Sequence, residues 1–264
     1  MVGTYKAAPD IEVLTTSFPI PGFGLVPVNA FVFKGPEPIL VDTGTVIQSG
    51  EFMAALRSVI DPAELRWVWL SHTDFDHIGM LHELLSENPQ LRVITNFLSV
   101  GIMTLSSPLP LDRIHLLNPG QSITIGERKL TAFKPPLFDN PATMGFFEHS
   151  SQTLFSADCF GALLSDVPQS AVDLPDKTLR DGQIFWGGVD SPWIHQVDTL
   201  AFARQLDTIR RLSPKLILSG HLPMAPGYLC ERLLSALAAV PAATPFVGPD
   251  QAQFQQMLQK MSEG

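Results

Sequence analysis

The apolar positions fall into short blocks with two different periods. Residues 29–35 ("NAFVFKG") and 38–42 ("PILVD") are β-rich runs joined by the turn "GPEP". Residues 49–60 ("SGEFMAALRSVI") switch to helical spacing, with Phe52, Leu56 and Val59 on one face and Ser49 placed to cap it. The unbroken run "WVWL" (67–70) predicts a buried strand, "IGMLHELLSEN" (78–88) a helix, "LRVIT" (91–95) a strand and "FLSVGIMTL" (97–105) a helix. From Ile114 to Leu154 the pattern turns to strands: "RIHLLN", "QSITIG", "RKLTAFK", "GFFEH" and "QTLFSAD". Residues 198–212 predict a long helix, "KLILSG" (215–220) a strand and "YLCERLLSALAAV" (228–240) a helix. Strand-rich blocks that alternate with helices in two halves predict an α/β domain of two packed sheets with helices outside. It is expected to span residues 1–264, with 241–264 as a polar, amphipathic peripheral tail.

Composition narrows the reading. With 264 residues, 45% of them hydrophobic and 16% charged, a full core can be buried. The net charge of -9 and the lack of a basic run argue against a nucleic-acid partner. No apolar stretch approaches the ~20 residues of a membrane span, and residues 1–14 lack a signal-peptide core. Cys159 and Cys230 are too few for a disulfide framework and read as free buried thiols, which predicts a cytoplasmic protein. The 23 prolines are scattered, as in a loop-rich surface rather than a linker.

The chemistry is concentrated in "SHTDFDH", residues 71–77, directly after the run "WVWL". His72, Asp74 and Asp76 lie two apart and can point into one cavity, and His77 is expected at the start of the following helix. All four side chains are ligands for a first-row metal. A helix cap needs only one such residue, so a mere polar turn is the weaker reading. Asp158 ends the strand "TLFSAD" and His221 follows the strand "LILSG", so both can reach a site at the strand ends.

The order "LVDTG", "SHTDFDH", "SADCFG", "SGH" resembles the metallo-β-lactamase superfamily over residues 11–228. The resemblance implies a four-layer αββα sandwich with the metal site at the sheet edges. Asp74 stands where the usual HxHxDH signature has its second histidine. The flavodiiron proteins carry HxExDH there, and "IPGFGLVPVNAF", "LFSADCFG" and "SPWIHQVD" resemble the same branch. A carboxylate at this position moves the preference from zinc toward iron or manganese.

Position by position, the resemblance implies a second metal held by Asp76, His77, bridging Asp158 and His221. It implies a first metal held by His72, Asp74, Asp158 and a further ligand. The family places a histidine in the loop before the bridging aspartate, where this chain has "KPPLFDNPATMG". Either Phe138 or Asp139 fills that place; Asp139 is a candidate ligand, or an ordinary aspartate of an Asp-Asn-Pro turn. The first metal is expected to bind more weakly, leaving a di-nuclear or a partly filled site. Asp42 of "LVDTG" is expected to accept a hydrogen bond from a ligating loop.

His82, His115, His149 and His195 are discounted as ligands: His82 as a helix residue, His115 as a core histidine, His149 as a hairpin tip. His195 is left between pocket wall and plain packing. Cys159 is expected to pack rather than react. Trp186, Trp193 and Phe138 either wall the site or belong to the core.

Three functions follow. The first is an iron protein that binds or reduces O2 or NO, with one or two irons per chain and zinc or manganese as alternatives. No Gly-rich phosphate loop follows a strand, so that reading needs an external electron donor, and the flavodiiron resemblance implies a homodimer. The second is a metallo-hydrolase of an ester, lactone, thioester or phosphoester, in which Asp76 or Asp74 orients a metal-bound hydroxide. The third is a non-catalytic oxygen or redox sensor.

Overall fold

The apolar runs fall on strands. In the computed structural model, which describes residues 1–262, strands β1 (Gly3–Ala8), β2 (Ile11–Ile20), β3 (Gly24–Phe33), β4 (Ile39–Val41), β5 (Trp67–Trp69), β6 (Arg92–Thr95) and β7 (Ile114–Leu116) neighbour one another in that order in one sheet. The second sheet holds β8 (Ser122–Ile125), β9 (Arg128–Phe133), β10 (Gly145–Glu148), β11 (Thr153–Phe155), β12 (Leu216–Ser219) and β13 (Leu222–Pro226), again in order. Helices α1 (Ser49–Val59), α2 (Leu81–Glu87) and α3 (Phe97–Thr104) belong to the first half, and α4 (Asp176–Asp190), α5 (Thr199–Leu212) and α6 (Cys230–Ala239) to the second. Helix α7 (Gln251–Ser262) follows near the end of the chain.

Strand β5 shows why "WVWL" is apolar throughout. Trp67 and Trp69 point into the core between the sheets, with Phe31, Phe146 and Phe155. Val68 points the other way, into the core under α1–α3, with Leu40, Phe52, Leu56 and Leu84. A strand covered on both faces reads as a continuous apolar run. A third core packs Leu154 and Ile217 beneath Leu179, Phe202, Leu206 and Leu233. Three cores separate four layers, which is the expected αββα sandwich. Edge-to-face rings tie its centre, Trp69 against Phe146 at 4.8 Å and Phe31 against Phe155 at 5.8 Å.

Some local expectations are corrected. Ser49 is the first residue of α1 rather than its cap; Gln48 holds the cap position without a side-chain bond. His77 lies in a turn, its N–H bonded to the Asp74 carbonyl, and α2 begins only at Leu81. His115 is half-buried in β7 at the sheet edge, edge-on to Trp67, and so is not a core histidine. By contrast, Asp198 caps α5 by accepting from the Ala201 N–H. Cys159 and Cys230 are free and buried, and burial pushes the Cys159 thiol up to about 12, which suits packing and not redox chemistry.

Helix α4 has no strong sequence signal because Gly182, Gly187 and Gly188 lower its helix propensity. The reason for the glycines is tertiary. A Cβ at Gly182 would lie 2.3 Å from the Leu163 carbonyl oxygen, so the helix approaches the backbone of the neighbouring segment more closely than any side chain allows. Among the described residues no helix is long and apolar enough to cross a membrane.

Candidate metal centre

Strands β4, β5 and β6 run parallel, as do β11 and β12. The loops after β4, β5, β11 and β12 bring Asp42, the segment 71–77, Asp158 and His221 together at one edge of the sandwich. In open parallel sheets this carboxyl-end edge is where sites form. The loops are sewn to each other. The Thr43 N–H donates to the His77 carbonyl (2.7 Å), Gly79 N–H to Gly44 (2.7 Å) and Met144 N–H to Ser71 (2.8 Å). Asp42, Ala157 and Phe160 take left-handed backbone angles (φ 56°, 51° and 72°), a strain concentrated beside the candidate ligands.

Each histidine is aimed by a bond at Nδ1. His77 donates to Asp42 Oδ2 (2.9 Å), and His221 to the Pro27 carbonyl (2.7 Å). Ser71 Oγ donates to Asp42 Oδ2 (2.8 Å) and accepts from His72 Nδ1 (2.9 Å). A carbonyl and a carboxylate can only accept, so Nδ1 carries the proton and Nε2 keeps its lone pair for a metal. The His221 loop is itself clamped by Asn29 of β3, which donates to the carbonyls of Ser219 (3.0 Å) and Leu222 (2.8 Å).

All three Nε2 atoms face Asp158. Asp158 Oδ2 lies 3.1 Å from His72, while Oδ1 lies 3.3 Å from His77 and 3.2 Å from His221. Its two oxygens therefore look toward two different donor sets. On one side Asp76 Oδ2 is 3.6 Å from both His77 and His221. On the other, His72 Nε2 is 3.8 Å from Asp74 Oδ2 and 3.9 Å from Asp139 Oδ1. Asn140 donates to Asp74 Oδ1 (2.8 Å), which leaves Oδ2 for the site. The seven residues expected from the sequence thus converge, Asp139 and not Phe138 being the one aimed inward. Phe138 packs on Trp193 instead, its carbonyl accepting from Trp193 Nε1 (2.7 Å).

The arrangement fits a bound cation. His72 Nε2, His77 Nε2, Asp158 Oδ1 and Asp139 Oδ1 are buried without hydrogen-bond partners, and such atoms are costly unless something satisfies them. The electrostatics agree. Burial alone would raise Asp158, but His72, His77 and His221 outweigh it and hold the carboxyl well below its usual range. Burial would likewise lower His221, but Asp158 and Asp76 push it up to about 9. Asp139 is raised to about 6 by burial, by Asp158 and by Asp74.

One acidic residue of the centre had no sequence expectation. Asp190, the last residue of α4, has a carboxylate oxygen within 4.8 Å of one each from Asp139 and Asp158. Burial, Asp158 and Asp139 push it up to about 8. A signal exists in "GGVDSP": a carboxylate at a helix C-terminus opposes the helix dipole and so calls for a local reason.

Aromatic residues flank the centre. The Trp186 ring lies 4.7 Å from that of His221. Phe138, Trp193, Phe202 and Lys134 line a cleft of about 510 Å³ beside the Asp139 loop. Lys134 sits over the Phe138 ring at 3.7 Å, and burial lowers its amine to about 8. Both ring nitrogens of His195 are buried without partners, the ring packing against Gly188. His149 is at the β10–β11 hairpin tip, bonded to Thr131 Oγ1 (2.7 Å), and His82 is exposed on α2.

Comparison with known proteins follows the same lines. The chain is 23% identical over 180 residues to the rubredoxin-oxygen oxidoreductase of Megalodesulfovibrio gigas, covering 66% of this chain and 45% of that protein. It is 28% identical over 134 residues to the anaerobic nitric oxide reductase flavorubredoxin of Citrobacter koseri, covering 50% of this chain and 28% of that one. The chain spans less than half the length of these curated relatives. A mutant of the flavo di-iron protein of Thermotoga maritima superposes with a TM-score of 0.75 at 21% identity, covering 94% of this chain and 64% of that one. The sequence model of the ODP family beta lactamase matches residues 26–221, most of the chain. The protein therefore belongs to the ODP family beta lactamase, as a metallo-β-lactamase-fold domain of the flavodiiron branch.

Proposed function

We propose that the centre holds two metal ions, iron in the working protein, and that it binds or reduces O2 or NO. One observation carries this: Asp158 turns its two oxygens toward two separate groups of inward-facing donors, and in each group a buried histidine Nε2, of His72 or of His77, has no partner. His72, Asp74, Asp139 and Asp158 would hold one ion, and Asp76, His77, Asp158 and His221 the other. The donor set has three imidazoles and four carboxylates and contains no thiolate, which favours iron or manganese over zinc. The relatives, an oxygen oxidoreductase, a nitric oxide reductase and a flavo di-iron protein, support iron and diatomic ligands over the hydrolase and zinc alternatives.

Bound in the reduced state, such ions supply electrons to a small apolar ligand. The chain's own part is to hold and to orient. Asp42 and the Pro27 carbonyl keep the protons of His77 and His221 on Nδ1. Asn140 fixes Asp74, and the Trp186 ring packs beside that of His221. Electrons come from an external donor in this reading, and a homodimer is part of it.

The test is metal content per chain on protein purified without oxygen, with an absorbance reading before and after O2 or NO is added. Two irons per chain and a spectral change on adding either gas are expected. A single zinc with no response would refute the reading. Turnover with a supplied reductase separates reduction from binding alone.

A further inference from the structure

The donor set assigned to the ion beside His72 contains one nitrogen, and its carboxylates come from the loops at 71–77, 134–145 and 156–161. Helix α4 adds something to this space. Its last residue, Asp190, brings an oxygen within 4.8 Å of one from Asp139 and one from Asp158. Ser191 Oγ donates to Asp190 Oδ2 at 3.1 Å, which orients the carboxylate. Three carboxyl groups therefore converge, one of them on a residue only 2% exposed. Among the described residues, no lysine or arginine lies within ion-pair distance of any of the three; Lys134 feels the charge of Asp139 from farther off, and the ion pairs of Asp139 and Asp158 are with histidines. The negative end of the α4 dipole adds to the repulsion.

A cluster of acids could be a solvated accident, but His72 argues otherwise. Its ring is fully buried, its Nε2 has no hydrogen-bond partner, and that atom points at Asp158 (3.1 Å) and Asp139 (3.9 Å) from the other side. The His72 lone pair faces two of the three carboxylates, Asp139 and Asp158, and these two also meet Asp190; oxygens beside such a nitrogen are what a hard divalent cation needs.

We propose that Asp190 is a ligand of the ion beside His72, making it a site of one histidine and four carboxylates: Asp74, Asp139, Asp158 and Asp190. This inference rests on the two-metal reading above. It gives α4 a direct connection to the centre, because the helix terminus is then held by the ion. It also gives the two positions different chemistries: the His77–His221 position is nitrogen-rich, and the His72 position is oxygen-rich and more tolerant of manganese.

The test uses Asp190→Asn, which keeps shape and the Ser191 contact, beside Asp139→Asn and the parent protein. Each is stripped of metal, melted, then titrated anaerobically with iron(II) alone and with manganese(II) alone. The expected result is two ions per parent chain, with Asp190→Asn keeping one at parental affinity. The other is weakened by at least the roughly 10- to 100-fold that loss of a mere supporting partner costs. The metal-free Asp190→Asn protein should melt no lower than the parent, because the amide keeps the shape of the side chain and its contact with Ser191; a misfolded variant would melt lower. If Asp190→Asn keeps both ions at parental affinity while Asp139→Asn loses one, Asp190 is not a ligand and the two-metal reading stands. If Asp139→Asn also keeps both, neither residue is a ligand and the proposal fails while the two-metal reading stands; if the parent takes up only one ion, the two-metal reading falls and the inference with it. A metal-free Asp190→Asn protein that melts lower and binds neither ion would assign the residue a structural role and overturn the proposal.

Discussion

The sharpest perturbation of the centre is Asp42→Asn, at a residue that touches no metal. Asp42 is fully buried and accepts from Ser71 N–H (2.8 Å), Ser71 Oγ (2.8 Å) and His77 Nδ1 (2.9 Å). Asparagine is nearly isosteric and tolerates the left-handed angle at this position (φ 56°), so the substitution tests chemistry and not strain. If the amide oxygen keeps the Ser71 N–H bond, the NH2 group faces His77 Nδ1. That nitrogen must then accept, which moves the ring proton to Nε2 and blocks its lone pair. Each hydrogen bond to the lost charge is worth about 1.5–3 kcal/mol. Loss of such a supporting partner typically weakens metal binding 10- to 100-fold, about 1.4–2.7 kcal/mol. The assay is anaerobic iron(II) titration against a competing chelator, with circular dichroism to confirm the fold. The ion beside His77 and His221 should weaken by that factor while the ion beside His72 is affected less. Asp42→Asn binding both ions at parental affinity would refute the claim that Asp42 sets the tautomer.

Three further outcomes follow from the same geometry. Asp74→His should shift uptake from iron toward zinc in metal-competition reconstitution; an unchanged ratio would mean that Asp74 is not a ligand. Gly220→Ala places a Cβ 2.9 Å from His77 Cε1 and 3.1 Å from Asp158 Oδ1, so it should cost about 1–3 kcal/mol in denaturant melts and weaken metal binding; normal metal content at normal stability would contradict the packing described here. In the metal-free protein, Asp139, Asp190 and His221 are raised to about 6, 8 and 9, above their unfolded values of about 4, 4 and 6.5. Their stabilising contribution is therefore complete below those unfolded values and is lost as pH rises from them through the folded ones, so the melting temperature should fall from about pH 4 to about pH 9. Bound metal should flatten that slope, and a metal-free melting temperature that is level or rising over this window would show the charges to be arranged otherwise.

The convergence of the candidate ligands in residues 71–77 was legible because its information is local. In "SHTDFDH" a spacing of two, directly after a strand buried on both faces, is enough to aim His72, Asp74 and Asp76 alike, whatever the rest of the chain does. Asp42, at the end of the "PILVD" strand, was legible only through the family resemblance, because nothing local to it marks a bond to His77. The one local error in that loop, His77 at a helix start, arose because a turn closed by the Asp74 carbonyl comes before the helix. A turn and a first helical turn share their early hydrogen bonds, so the sequence pattern does not separate them.

Other features depend on contacts far apart in the chain. Whether Phe138 or Asp139 turns inward is settled by the Trp193 ring and indole N–H, which take the phenylalanine and its carbonyl. Asn29 clamps a loop some 190 residues away, and nothing near it in sequence marks that role. Asp190 reaches Asp139 and Asp158 only because Gly182 lets α4 press against the Leu163 carbonyl. Short-range backbone geometry decides which side chains leave one loop on one side, and a sequence states that directly. The meeting of residues 42, 72–77, 139, 158, 190 and 221 depends on how parallel strands from two sheets align at a common edge. That alignment is set by the packing of the three cores, a property of many residues at once that no single stretch of sequence records.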